Sequence, residues 1–184
     1  MKLTIMRHAI AAPRGMPGQG RDADRPLTEE GIEQAREVAR GLERLKLDFD
    51  LILTSPYRRA AQTAELAAHE LDIELEVRPW EALEPQVSPA ETSKGLKKFA
   101  GKERLLLVGH EPHLSGWIAE LTASPGGVDC VMKKGGVACV TIDQVPPQTG
   151  SGSLRWLMTP KQLALIGKSG GKKKAALADD PGDH

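Results

Sequence analysis

A chain of 184 residues, 40% hydrophobic and 27% charged, has the size and make-up of one globular domain that buries roughly 70% of its unfolded surface. Its 25 Lys and Arg balance 25 Asp and Glu, so no global field recruits nucleic acid or anionic lipid, and any anion site must be local. No run approaches the roughly 20 apolar residues that span a bilayer. Cys130 and Cys139 fit neither a disulfide framework nor a zinc pattern.

Residues 2–6 read as a buried strand that ends on Arg7 and His8. The same pair cuts the apolar run too short for a signal peptide, and the expected compartment is the reducing cytoplasm. A Gly/Pro-rich loop, AAPRGMPGQGRDADRP, leads to Thr28, a good N-cap with Glu29 and Glu30 in the first turn behind it. Ile32, Ala35, Val38, Ala39, Leu42 and Leu45 then recur at helical spacing. LILT at 51–54 has the pattern of a strand covered on both faces. Ser55 reads as the N-cap and Pro56 as the first residue of a helix running to about His69.

Leu71, Ile73, Leu75 and Val77 alternate with acids, which predicts a half-exposed strand near a sheet edge. A modest helix is expected over 88–99. RLLLVGH, with its apolar run ending at Gly109, is the strongest buried-strand signal, and Pro112 opens a helix to about Leu121. VACVTI (137–142) and SLRWLM (153–158) read as two late strands. From Gly167 onward little can be buried, so the chain divides into a domain over 1–166 and a disordered tail over 167–184. Strands alternating with helices predict an α/β fold, three layers of helix, sheet and helix, with a mostly parallel sheet and an antiparallel edge.

Ligands of open α/β sheets bind beyond the carboxyl ends of the strands. Three apolar strands here end in polar clusters: Arg7-His8, Ser55-Pro56-Tyr57-Arg58-Arg59 and Gly109-His110-Glu111-Pro112. Each alone has an ordinary reading, as a strand end, a helix start with solvated arginines, or a turn histidine. If the strands are parallel neighbours, the clusters meet in one patch suited to phosphoryl transfer. Arginine forks neutralise phosphoryl oxygens, and neutral imidazole is a competent nucleophile near pH 7. His110-Glu111-Pro112-His113 lacks the spacing of a helical zinc motif, and neither a metal nor another cofactor is expected.

MRHA, RPLTEEG, TSPYRRAAQT and LLLVGHEP together resemble the histidine phosphatase superfamily, with its phosphoglycerate-mutase-like fold, over about residues 1–160. The compact length is similar to that of its SixA-type phosphohistidine phosphatases. The resemblance implies a phosphatase in which His8 is transiently phosphorylated, Arg7 and Arg59 hold the phosphoryl group and His110 donates to it. Ser55 adds a hydroxyl contact. Arg58 falls beside the family's Ser-Pro-x-x-Arg position, and Ala9 replaces the usual glycine, which its backbone tolerates at negative φ. The general acid of larger relatives follows the third strand, where WEALEP offers Glu84 and Glu81, with Glu111 and Asp24 behind them. The implied substrate and partner is a phosphohistidine-bearing protein, without nucleic acid or membrane. The rival readings are a small-molecule phosphomonoesterase of the same fold and a phosphoryl-binding module without turnover.

Overall fold

The computed structural model describes residues 1–15, 20–123 and 129–169. Its six strands form one sheet: β1 (Lys2–Arg7), β2 (Leu51–Thr54), β3 (Val77–Pro79), β4 (Arg104–Gly109), β5 (Val137–Thr141) and β6 (Ser153–Met158). They lie in the order β3-β2-β4-β1-β5-β6. The first four are parallel, while β5 runs antiparallel to β1 and β6 antiparallel to β5. Among the described residues, five α-helices cover it: α1 (Glu29–Arg44), α2 (Arg58–Glu70), α3 (Pro89–Gly95), α4 (His113–Thr122) and α5 (Pro160–Lys168).

The pleat sorts side chains by parity. Leu3, Ile5, Leu53, Leu105 and Leu107 face α4, packing with Leu114, Trp117, Ile118 and Leu121. Met6, Ile52, Leu106 and Val108 face the other way, onto Val38 and Leu42 of α1, the alanines of α2 and Leu163 of α5. Both faces of the parallel strands are thus covered, which is why they read as unbroken apolar runs. This is the three-layer α/β architecture expected, with its antiparallel edge. Cys130 and Cys139 are both free and buried. No described helix is long and apolar enough to cross a membrane.

Several local expectations need correction. Burial does alternate from Leu71 to Val77, but the ladder to β2 begins only at Val77, after a turn in which Asp72 takes a φ of 51°. The start of α2 is Arg58, with Tyr57 at the cap, so Ser55 and Pro56 lie outside the helix. Pro112 occupies the cap of α4. The sequence reading assigned no helix after β6, where α5 forms behind a capping box of Thr159 and Gln162. It continues to Lys168, past the boundary placed at Gly167; the rest of that tail, from residue 170, lies outside the described residues.

Two close approaches fix the loop leaving β1. Gly31 sits in the first turn of α1, where an added Cβ would lie 1.9 Å from the Ile10 carbonyl oxygen. That oxygen accepts from the Thr28 N–H, while the Ile10 N–H donates to Gln34 Oε1. Ala11 bridges Leu27 in antiparallel fashion, closing the loop at its neck.

Candidate active site

Register brings the three polar clusters together. Arg7 pairs with Gly109 across the β1–β4 ladder, and Thr54 pairs with Val108 across β2–β4. The His8 N–H then donates to the Gly109 carbonyl and the Ser55 N–H to that of Val108. Parallel strands of matched length therefore release His8, Ser55 and His110 at one edge. All three are buried.

His8 has a fixed tautomer. Its Nδ1 lies 2.7 Å from the Ala9 carbonyl oxygen, an acceptor only, so Nδ1 carries the proton. Arg59 Nε donates to His8 Nε2 at 3.2 Å, which requires a lone pair on Nε2. Burial foremost, with the charges of Arg59, Arg7 and Arg25, pushes the His8 pKa down to about 3, so the ring is neutral near pH 7. Among the described residues only Lys46 and Asp72 are non-glycines with positive φ, so Ala9 meets no backbone demand for glycine.

Arg59 is 2% exposed, while its neighbour Arg58 is exposed. Its guanidinium is held by Asp22, a residue that no motif in the sequence marks. Arg59 Nη1 donates to the Asp22 carbonyl at 2.8 Å and Nη2 to Asp22 Oδ2 at 3.1 Å. The other carboxylate oxygen of Asp22 accepts from Arg25 and Arg14. Burial opposes ionisation of Asp22, but Arg59, Arg25 and Arg14 outweigh it and hold its carboxyl below the usual range. Asp22 opens a single 3-10 turn, Asp22–Asp24, in the loop after β1. Its use depends on how that loop folds back, which no local pattern encodes.

Arg7 is anchored from the opposite side. Its Nη1 donates to the Met132 carbonyl at 2.7 Å, and its buried Nε has no partner among the described residues. The turn that supplies Met132 also meets the strand end: the Gly135 N–H donates to the Arg7 and His8 carbonyls. Gly135 takes a φ of +73°, a left-handed conformation that side chains disfavour. Lys134 lies on this turn and lines the cavity in front of His8.

His110 stands with its ring centroid 5.1 Å from that of His8 and 5.0 Å from that of Tyr57. Its Nε2 is hydrogen-bonded to Ser55 Oγ at 2.8 Å. Ser55 Oγ also accepts from the Tyr57 N–H. His110 Nδ1 is a buried atom with no partner among the described residues. Burial first, then the neighbouring His8 and Arg59, pushes the His110 pKa down to about 2. Ser55, misread as a helix cap, is thus a support for His110.

The carboxylates divide differently from the expectation. A cavity of about 550 Å³ opens in front of Arg7 and His8, and Glu111 lines it while Glu84 does not. Glu84 accepts a hydrogen bond from Gln86, whose carbonyl accepts from the Tyr57 hydroxyl. Glu111 follows His110, and Ser115 holds its carboxylate through both N–H and O–H. Glu111 also stabilises the charge on Arg7, a guanidinium that burial works against.

The profile of the histidine phosphatase superfamily, branch 1, matches residues 3–84. Phosphohistidine phosphatase SixA of Escherichia coli is 29% identical over 167 residues, 90% of this chain and 98% of that one. The structure of the protein histidine phosphatase SixA complexed with tungstate superposes with a TM-score of 0.76 at 30% identity, over 89% of this chain and 99% of that one. This chain belongs to the histidine phosphatase superfamily. An uncharacterised protein of Picosynechococcus is 39% identical over 74% of this chain and 82% of its own. A mycobacterial glucosyl-3-phosphoglycerate phosphatase shares the fold at 18% identity, with a TM-score of 0.61 over 84% of this chain and 96% of that one. The chain is a phosphatase of the histidine phosphatase type, with the SixA-like, phosphoglycerate-mutase-like fold that the sequence resembled.

Glu111 lines the cavity in front of His8 and Glu84 does not, so the two carboxylates are expected to differ in their effect on turnover. Glu111→Gln is expected to lower kcat at least tenfold, on the usual scale of general acid–base groups, roughly 10² or more for a fully engaged one. Glu84→Gln is expected to stay near the parent rate. Parallel steady-state kinetics of the two variants check this, and a larger loss from Glu84→Gln would reverse the assignment.

Proposed function

We propose that this protein hydrolyses the phosphoramidate bond of phosphohistidine on a protein, through a phosphohistidine intermediate on His8 and without a metal ion. The observation that carries the reading is the His8 tautomer, which leaves the Nε2 lone pair as nucleophile. In the first step Nε2 forms a bond to phosphorus as the bond from phosphorus to the substrate imidazole breaks. The departing imidazole takes up a proton that Glu111, on the cavity wall, relays from solvent. In the second step water attacks the same phosphorus as its bond to His8 Nε2 breaks, gives up a proton to solvent through the same carboxylate, and leaves inorganic phosphate and neutral His8.

Arg7, Arg59 and His110 are the donors for the equatorial oxygens, and their positions are set before substrate arrives. Two guanidiniums provide the positive charge that a metal supplies in many phosphoryl-transfer enzymes.

The packing of the segment between β3 and β4 supports this substrate class. Residues 80–103, between β3 and β4, are one stretch that could supply a lid over a small phosphate ester. There Leu83 and Leu96 are fully buried in the core, Thr92 Oγ1 is bonded to His113, and Ser93 Oγ to Glu120 and Trp117. This segment is packed on α4 and unavailable to close over the site, so a phosphohistidine on a folded surface can reach His8. The relationship to SixA points the same way.

Kinetics on a histidine-phosphorylated protein domain beside phosphoglycerates and sugar phosphates test the proposal. The expected result is a higher kcat/KM for the protein, unchanged by EDTA. A tenfold preference for a small ester would overturn the substrate, and activity lost in EDTA and restored by Mg²⁺ or Zn²⁺ would overturn the metal-free chemistry.

A further inference from the structure

Charge is unevenly placed in a chain that carries none overall. The cavity in front of His8 is lined by Arg7, Arg14, Arg25 and Lys134, against Glu111 as the one carboxylate in that lining. The acids of α1 lie elsewhere: Glu30, Glu33 and Glu37 border the separate groove shared with α5.

The phosphoryl group does not require all these cations. Half-buried Arg7 and buried Arg59 already meet its charge, and Arg25, whose side chain is 11% exposed, is committed to Asp22 and the Ala12 carbonyl. Arg14 and Lys134 are different. The Arg14 side chain is 79% exposed, and its ion pair with half-exposed Asp22 is of the surface kind that contributes little. Lys134 is also exposed, and its neighbour Lys133 is exposed beside it. They stand on two different segments, the loop after β1 and the turn before β5, on the outer wall of one cavity.

Resting on the phosphohistidine reading above, we propose that Arg14 and Lys134 form a docking rim for an acidic partner, recognising carboxylates that flank the phosphohistidine. Binding replaces the weak Arg14–Asp22 contact with a contact to the partner, and Asp22 keeps Arg25 and Arg59. Such a rim acts on association rate and on choice of partner more than on the chemical step.

The test uses two synthetic phosphohistidine peptides of equal length, one with aspartates flanking the phosphohistidine and one with lysines, and p-nitrophenyl phosphate for comparison. The native protein is expected to favour the acidic peptide in kcat/KM by about tenfold at low salt, a modest instance of electrostatic steering. Raising ionic strength to about 0.5 M, where the Debye length falls to a few ångströms, should remove most of that preference. The Arg14→Glu, Lys134→Glu double variant should reverse it, whatever it does to p-nitrophenyl phosphate. Equal rates on both peptides, or a preference that survives the double variant, would overturn the docking rim alone. No turnover of either peptide beside turnover of p-nitrophenyl phosphate would overturn the phosphohistidine reading and the rim with it.

Discussion

Replacing His8 with alanine is expected to reduce turnover to background, a loss on the order of 10⁴-fold or more, as for other nucleophiles that form a covalent intermediate. The reason lies in geometry rather than in proximity of charge. Only Nε2 of His8 combines a lone pair, a proton held on the far nitrogen by the Ala9 carbonyl, and a cation alongside. His110 is close by, with its Nε2 hydrogen-bonded to Ser55. Arg7, Arg59 and His110 remain in the variant, so vanadate or tungstate should still bind. Acid-labile phosphate trapped on the native protein in rapid quench should be missing from the variant. A His8→Ala protein that turns over at the native rate would sink the covalent mechanism.

The second large effect separates two adjacent arginines. Arg59→Ala is expected to lower kcat by on the order of 10² or more, the scale of one lost transition-state donor. Arg58→Ala is expected to leave kcat near the native value. The two side chains leave α2 about 100° apart, and the structure shows one buried among His8, Tyr57 and Asp22 and the other exposed. Arg59→Lys should recover little, because an ammonium cannot span His8 Nε2, the Asp22 carbonyl and the Asp22 carboxylate together. Steady-state kinetics of the three variants decide it, and an Arg58→Ala loss larger than that of Arg59→Ala would mean a different residue faces the phosphoryl group.

Much of the site was legible because it is made by strand ends. An apolar run that stops at Arg7-His8, or at Gly109-His110, marks both a buried strand and the place where polar side chains emerge. What escaped depended on contacts across the fold. Ser-Pro has the signature of a helix start, yet β2 carries the chain straight to Ser55, whose N–H still continues the ladder to Val108, and the helix waits until Arg58. Asp22 and Lys134 sit in segments with no periodicity, and their positions follow from Arg59 and from Gly135 respectively. The alternation from Leu71 to Val77 reports a half-buried surface, and that surface packs on α2 without pairing to β2 for most of its length. The α5 helix was within reach of the sequence, since Thr159, Pro160 and Gln162 spell a capping box with proline at the first helical position.

The neutral buried histidines also make the fold a proton-linked equilibrium. His8, His110 and His113 titrate near 3, 2 and 4 in the native state, each brought down chiefly by burial, while an unfolded chain takes up their protons near 6.5. Their folded values lie below the unfolded ones, so the unfolded state binds more protons and stability falls as the solution is acidified below about pH 6.5. With all three engaged the slope reaches about 4 kcal/mol per pH unit, steep against the 5–15 kcal/mol that typically holds a domain together. Urea midpoints should therefore drop sharply between about pH 7 and 5, and a midpoint that stays level would show that the rings are not held neutral. A bound phosphoryl anion favours the protonated rings, so occupancy of the site should slow that loss. The arrangement that keeps His8 ready to attack makes the empty enzyme acid-labile and the loaded one less so.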